Sequence, residues 1–182
     1  RYTGVILNRK KYNIKNVIAL TMLPVSGIIG TIWHTWEYGI VWQEPILLIT
    51  FWIITGLGIT VGYHRLFSHR SFESHPLLDW ALVILGAAAL ENSALQWCSN
   101  HRLHHKHLDT DKDPYSITKG FFHAHMGWIF ENKPFPIDKV NDLQEKPALI
   151  FQHKYYYILF TIFSIGIPVS LGFLWGRPLG AL

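Results

Sequence analysis

The chain has 182 residues, 49% of them hydrophobic and only 15% charged, with a formal charge of +4. Nucleic-acid binding would want a basic stripe on a soluble fold, and here the basic residues flank apolar runs instead. Eight Trp and eight Tyr suit the interfacial belts of a small membrane protein, and the single Cys98 rules out an internal disulfide.

The sequence opens on Arg1 rather than Met and stops at Leu182 after an apolar run, so a fragment cut at both ends is expected. No cleavable signal peptide is recognisable. Arg1 to Lys15 carries five basic residues and no acidic one. Val17 to Trp36 then runs twenty residues without Asp, Glu, Lys or Arg, enough to cross a hydrocarbon core. Pro24, Gly27 and Gly30 interrupt it, as membrane helices tolerate. Trp33, Trp36, Tyr38 and Trp42 mark an interface, with His34 expected as a polar tip among the headgroups.

Pro45 opens the next run, and Ile46 to Gly62 is seventeen residues without charge, the lower limit for a span. Gly56, Gly58 and Gly62 leave two readings open, close helix packing or room for a narrow ligand, of which packing is the plainer. Leu77 to Leu90 is apolar but too short to cross, with Asp79 near its start and Glu91 and Asn92 at its end. An interfacial or re-entrant helix is expected over about 76–97, with Pro76 in its first turn. From His101 to Lys154 the chain is polar and broken by Pro114, Pro134, Pro136 and Pro147. Tyr155 to Gly176 is again uncharged for twenty-two residues, with aromatic collars and a potential kink at Pro168.

These runs predict one all-α integral membrane domain over 1–182. Its spans fall at about 17–36, 45–63 and 155–176, with a histidine-rich helical lobe over about 64–154. Of the sixteen Lys and Arg, five precede the first span, none lies in the 37–44 turn, ten lie between 63 and 154, and Arg177 stands alone. The positive-inside tendency places the N-terminus and the lobe in the cytoplasm.

The chemistry lies in two short segments. His101, His104 and His105 are spaced i, i+3, i+4, so a helix presents all three imidazoles on one face. His64 and His69 are five apart and cannot share an α-helical face, so the chain must leave regular helix or bend between them. Five imidazoles with their polar nitrogens are hard to justify as packing and suit a metal. They exceed what one tetrahedral ion accepts, which argues for two; Zn, Fe, Cu and Ni all take imidazole. A calcium loop starting at Asp109 fails, because Pro114 and Gly120 stand where Gly and Glu are needed. Asp109, Asp111 and Asp113 are left between orienting ligand imidazoles and holding a turn. His107 is expected beyond the ligand face, and His123 and His125 either near the site or capping an aromatic core. His75 and His153 read as interfacial, and Cys98 as a buried small residue.

Gly-Ile-Thr-Val-Gly-Tyr-His-Arg-Leu-Phe-Ser-His, Trp-Cys-Ser-Asn-His-Arg-Leu-His-His-Lys, Asp-Pro-Tyr and Gly-Phe-Phe-His-Ala-His-Met-Gly-Trp closely resemble the membrane fatty acyl-CoA desaturases of the stearoyl-CoA type. The resemblance runs from about Val17 to the end. It implies a four-span protein with two irons (Fe2+) held by three histidine boxes, and desaturation of a long-chain fatty acyl-CoA by O2, commonly at delta-9. His64 and His69 match the first box, and His101, His104 and His105 the second. The third box, after a fourth span, is absent from these residues, so this stretch alone is expected to be inactive. Electrons would come from a haem-bearing cytochrome or a ferredoxin. The membrane would be the endoplasmic reticulum in a eukaryote or the inner membrane in a bacterium. Asn92 and Trp97 match positions that touch coenzyme A in animal members. Ser99 and Asn100 replace a charged Arg and Asp there, which leaves the acyl carrier open between CoA, a lipid and a carrier protein. The rivals are a related histidine-box hydroxylase or monooxygenase, and a non-enzymatic metal-binding membrane protein.

Overall fold

The computed structural model describes residues 12–133 and 136–182. Arg1, Arg9, Lys10 and Lys11, four of the five basic residues ahead of the first span, and the expected breaker Pro134 lie outside the described residues. The described chain is helical, and three of its helices are long and apolar enough to cross a membrane. We label them α1 (Ile14–Tyr38), α2 (Gln43–Ser68) and α6 (Tyr156–Trp175). Between the last two come α3 (Pro76–Ala88), α4 (Ala94–Lys106) and α5 (Pro147–Lys154).

Helix α1 starts where Asn13 accepts a hydrogen bond from the Asn16 N–H (3.3 Å), and it stops at Gly39, whose φ of +68° suits a residue without Cβ. No residue of α1 is buried. Polar ties hold its two ends. At the first, Asn16 Nδ2 donates to the Ile129 carbonyl (2.8 Å) and the Asn13 N–H to that of Phe130 (2.7 Å). At the second, Arg177 donates to the carbonyls of Tyr38 (2.7 Å) and Gly39 (3.1 Å). His34 Nε2 lies 3.1 Å from Glu44 Oε1 and is mostly covered. His34 is therefore a partner in a polar clasp. The turn Leu179–Ala181 closes over it, since a Cβ on Gly180 would strike both Glu44 and His34.

Helix α2 changes character midway. From Gly58 to Ser68 its hydrogen bonds widen to the π pattern, i→i+5. The same stretch crosses α3 at very short range. A Cβ on Gly58 would run into the Gly86 backbone, one on Gly86 into the Tyr63 ring, and one on Gly62 would lie 2.9 Å from Leu82 Cβ. Close packing accounts for Gly58 and Gly62, whereas Gly56 has nothing within 4 Å. In α6 a further π stretch, Ile162–Gly166, leads into Pro168, where a wider turn absorbs the missing N–H.

The helix expected over 76–97 is two helices, not one. Helix α3 ends at Ala88, and α4 begins at Ala94 after Leu90 (φ +59°) and Asn92 (φ +78°) turn left-handed. The turn is sewn down from below. Tyr156 Oη accepts from the Asn92 N–H (3.0 Å), and Gln152 Oε1 from the Ala94 N–H (3.0 Å). His153 Nδ1 lies 2.7 Å from the Ser93 hydroxyl, so His153 braces the α4 N-cap. Gln152 is wholly buried and donates through Nε2 to Tyr63 Oη (2.6 Å). A buried amide satisfied on both sides fixes the rotation of α4 against α2. Around it lies the core, with Tyr63, Phe67, Val83, Cys98, Val140 and Leu149 fully covered.

Candidate metal centre

The π stretch solves the spacing problem of the first histidine pair. With bonds running i→i+5, residues five apart come onto one face, and the His69 N–H itself bonds to the His64 carbonyl (3.0 Å). The chain does leave regular α-helix here, as the spacing requires, but it widens instead of bending away. The two Nε2 atoms end 3.0 Å apart.

Helix α4 supplies the other side. His101 Nε2 sits 3.1 Å from His69 Nε2 and 3.1 Å from His105 Nε2. His64, His69, His101 and His105 thus place one nitrogen each within 4.8 Å of one another, a donor set that could hold a metal ion. Among the described residues no carboxylate belongs to this set of four nitrogens, whose inward lone pairs can accept a proton donor or bind a cation. Burial first, then the neighbouring imidazoles led by His105, hold His101 down to about 3. His69 is lowered too, by desolvation and then His64. Both rings stay neutral at ordinary pH, the form that ligates. The four residues fit a metal on donor type and convergence.

His104 stands apart from the four. Its ring lies 5.3 Å from that of His105, and its Nδ1 is 2.9 Å from both oxygens of Asp113. A carboxylate accepting from Nδ1–H fixes the ring and frees Nε2 for other work. Asp113 is fully buried and also accepts from the backbone N–H groups of Asp109 (3.0 Å) and Tyr115 (3.1 Å). Burial opposes its charge, but the His104 bond and the two N–H groups outweigh that and hold its pKa below the ordinary range. Asp113 therefore does both things left open for the acidic cluster. It orients an imidazole and holds a turn. Tyr115 stacks on His104 (4.3 Å between centroids, 29° between planes) and brings its hydroxyl to 3.3 Å from His101 Nδ1. Burial, then the Asp113 charge, push its phenol pKa up.

Arg102, between the histidines, is a residue that spacing arguments pass over. Its guanidinium grips Asp142 with two bonds (2.7 and 3.0 Å) and donates to the carbonyls of Phe67 (2.6 Å), Ser68 (3.3 Å) and Lys139 (2.8 Å). It ties α4 to the end of α2 and so sets one histidine segment against the other. The signal was a cation in a largely covered position, which composition cannot reveal.

Trp97 stacks on His101 (4.7 Å, 26°) and donates its indole N–H to Glu91 (3.1 Å), while Asn92 lies exposed in the adjoining turn. Ser99 is buried and exchanges hydrogen bonds with the backbone of Asp138 (2.9 Å each way), and Asn100 is buried against Gln96 (3.1 Å). The remaining histidines stay out of the cluster. His107 ends α4, and His123 pairs with Glu131 (3.5 Å). His125 stacks on Phe121 (5.6 Å), and His75 caps α3 through Nδ1 (3.2 Å). Cys98 is fully buried with its thiol pushed up to about 12, chiefly by desolvation, so it is inert.

Residues 18–182 match the family model described as fatty acid desaturase. A probable acyl-CoA desaturase of Schizosaccharomyces pombe is 37% identical over 164 residues, covering 88% of this chain and 33% of its own length. A delta-9 fatty acid desaturase of Caenorhabditis elegans is 34% identical over 163 residues, 86% of this chain and 48% of its own. An sn-1 stearoyl-lipid 9-desaturase of Anabaena variabilis is 39% identical over 132 residues, 71% and 46%. The chain spans about half or less of the length of these relatives.

Proposed function

The chain belongs to the fatty acid desaturase family, and from that premise we propose that the whole protein introduces a cis double bond, at delta-9, into a long-chain acyl-CoA. His64, His69, His101, His104 and His105 are its contribution to a centre of two irons, with O2 as oxidant. The observation that carries this reading is the meeting of four imidazole nitrogens from two separated segments within 4.8 Å. The irons, when bound, supply the oxidising chemistry that removes two hydrogens from adjacent methylenes. The chain's own part is positional. The π stretch and Arg102 set the two histidine segments against each other, Asp113 turns His104, and Trp97 walls one side. An unactivated methylene chain offers no handle, so the site of reaction follows from how the protein holds it.

The start of α1 is tied to the lobe at Ile129 and Phe130, and the start of α6 to the turn before α4 through Tyr156, which supports the lobe facing one side of a bilayer, the cytoplasm. A haem-bearing cytochrome or ferredoxin docks there as electron donor. Asn92 and Trp97 border the entrance for the acyl carrier. A lipid-linked acyl chain is the second reading of that carrier. The likeness to an sn-1 stearoyl-lipid 9-desaturase favours it, as do Ser99 and Asn100, which are buried and spent on the chain itself.

Product analysis on the full-length protein, given an electron donor and either carrier, tests the reading: a double bond supports it and an alcohol refutes it. His104→Ala is expected to abolish desaturation and lower bound iron with membrane insertion intact. His75→Ala, a helix cap remote from the cluster, keeps both. An active His104→Ala protein with normal iron removes that residue from the ligand set.

A further inference from the structure

Two imidazoles, one in the cluster and one beside it, have a partner behind them. For His104 it is Asp113, as described. For His101 it is the Tyr115 hydroxyl, 3.3 Å from Nδ1. His101 sits between the other rings, its Nε2 touching those of His69 and His105 at 3.1 Å each. If that nitrogen is to offer a lone pair inward, the ring proton must be on Nδ1, and an acceptor must stand there to receive it. The phenol oxygen is in that place. The same side chain lies face-on to His104 at 4.3 Å and is backed by Trp128 at 5.0 Å. Its own backbone N–H bonds to the Asp113 carboxylate that turns His104 (3.1 Å). One short segment, Asp113-Pro114-Tyr115, therefore reaches both rings from outside.

We propose that Tyr115 is a positioning residue of the metal centre, accepting the Nδ1 proton of His101 to hold the ligating tautomer and bracing the plane of His104 by stacking. This rests on the ligand reading given above. A ring that only fills space needs no oxygen, so Phe in its place would serve as well. A ring whose oxygen selects a tautomer cannot be replaced that way. Partners of this kind typically change metal affinity 10- to 100-fold when removed.

The test uses the full-length protein in detergent, with iron affinity read by chelator competition and the visible ligand-field bands read after Co2+ substitution. Tyr115→Phe is expected to keep the thermal midpoint, to lose about tenfold in iron affinity and to shift the Co2+ bands. Tyr115→Gln, which restores an oxygen without the ring, recovers affinity relative to Tyr115→Leu. Wild-type affinity and an unchanged Co2+ spectrum in Tyr115→Phe overturn the proposal, as do equal losses in the Gln and Leu variants. A wild-type protein that retains no iron fails differently, because it sinks the ligand reading itself.

Discussion

Among single residues, Arg102 carries the most structure per side chain. Its five donors are spread over one carboxylate and three carbonyls belonging to the end of α2 and the 139–142 segment. Asp142 is also met by Arg70 (2.9 Å). The Arg102 hydrogen bond, with the Arg102 and Arg70 charges, outweighs partial burial and holds the Asp142 carboxyl below the usual range. A carboxyl whose folded pKa is depressed contributes stability that is present above its unfolded value and is lost as pH falls through the folded one. Thermal midpoints measured from neutral pH downward are therefore expected to decline below about pH 4, and Asp142→Asn flattens that limb while lowering the neutral value. A variant with the full acid decline would place the titrating group elsewhere. That His64, His69, His101 and His105 converge was readable from residue type and spacing. Arg102 and Gln152 were not, because their importance lies in what a distant segment brings to them.

Between elements, the decisive contact is the crossing of α2 and α3. Two glycines face each other there, and the crossing holds the π stretch that carries His64. Gly58→Ala puts a methyl against the Gly86 backbone, which cannot yield as a side-chain tip can, whereas Gly56→Ala meets nothing within 4 Å. Gly58→Ala is expected to cost about 1–3 kcal/mol and to reduce bound iron. Gly56→Ala is neutral or slightly stabilising, since alanine is the better helix former. Melting curves and iron content of the two variants in detergent decide it. Equal effects would show that the crossing does not govern the centre. Sequence patterning located all three long helices, because uncharged runs report directly on length in a bilayer. It joined α3 and α4 into one, because the break at 89–93 depends on Tyr156, Gln152 and His153, residues some sixty positions away. The π geometry was likewise legible only as a conflict, a pair of histidines at a spacing that α-helix does not allow.

Across the whole molecule, the long helices divide the work unequally. Helices α2 and α6 bury part of their surface against α3, while α1 buries none of its residues and is fastened through its ends. The clasp far from the histidines joins α1, the start of α2 and the turn after α6 through His34, Glu44 and Arg177. Glu44→Ala removes the anchor common to His34, the Val41 N–H and Arg177. Spin labels placed at Trp36 and Leu174, both exposed, are expected to give a broader distance distribution in that variant with bound iron unchanged. An unaltered distribution would mean that something else fixes α1.

Fastened only at its ends, α1 answers to the lipid between them. Its 25 residues extend about 37 Å against a hydrocarbon layer of about 30 Å. The surplus reaches past that layer into the two rims, where the tethers sit. A change in bilayer thickness thus pulls on Asn16 at one rim and on His34 at the other before any core side chain feels it. The central rows of α1 are free to drift toward any apolar sequence of the same length, while the knots at its ends are not.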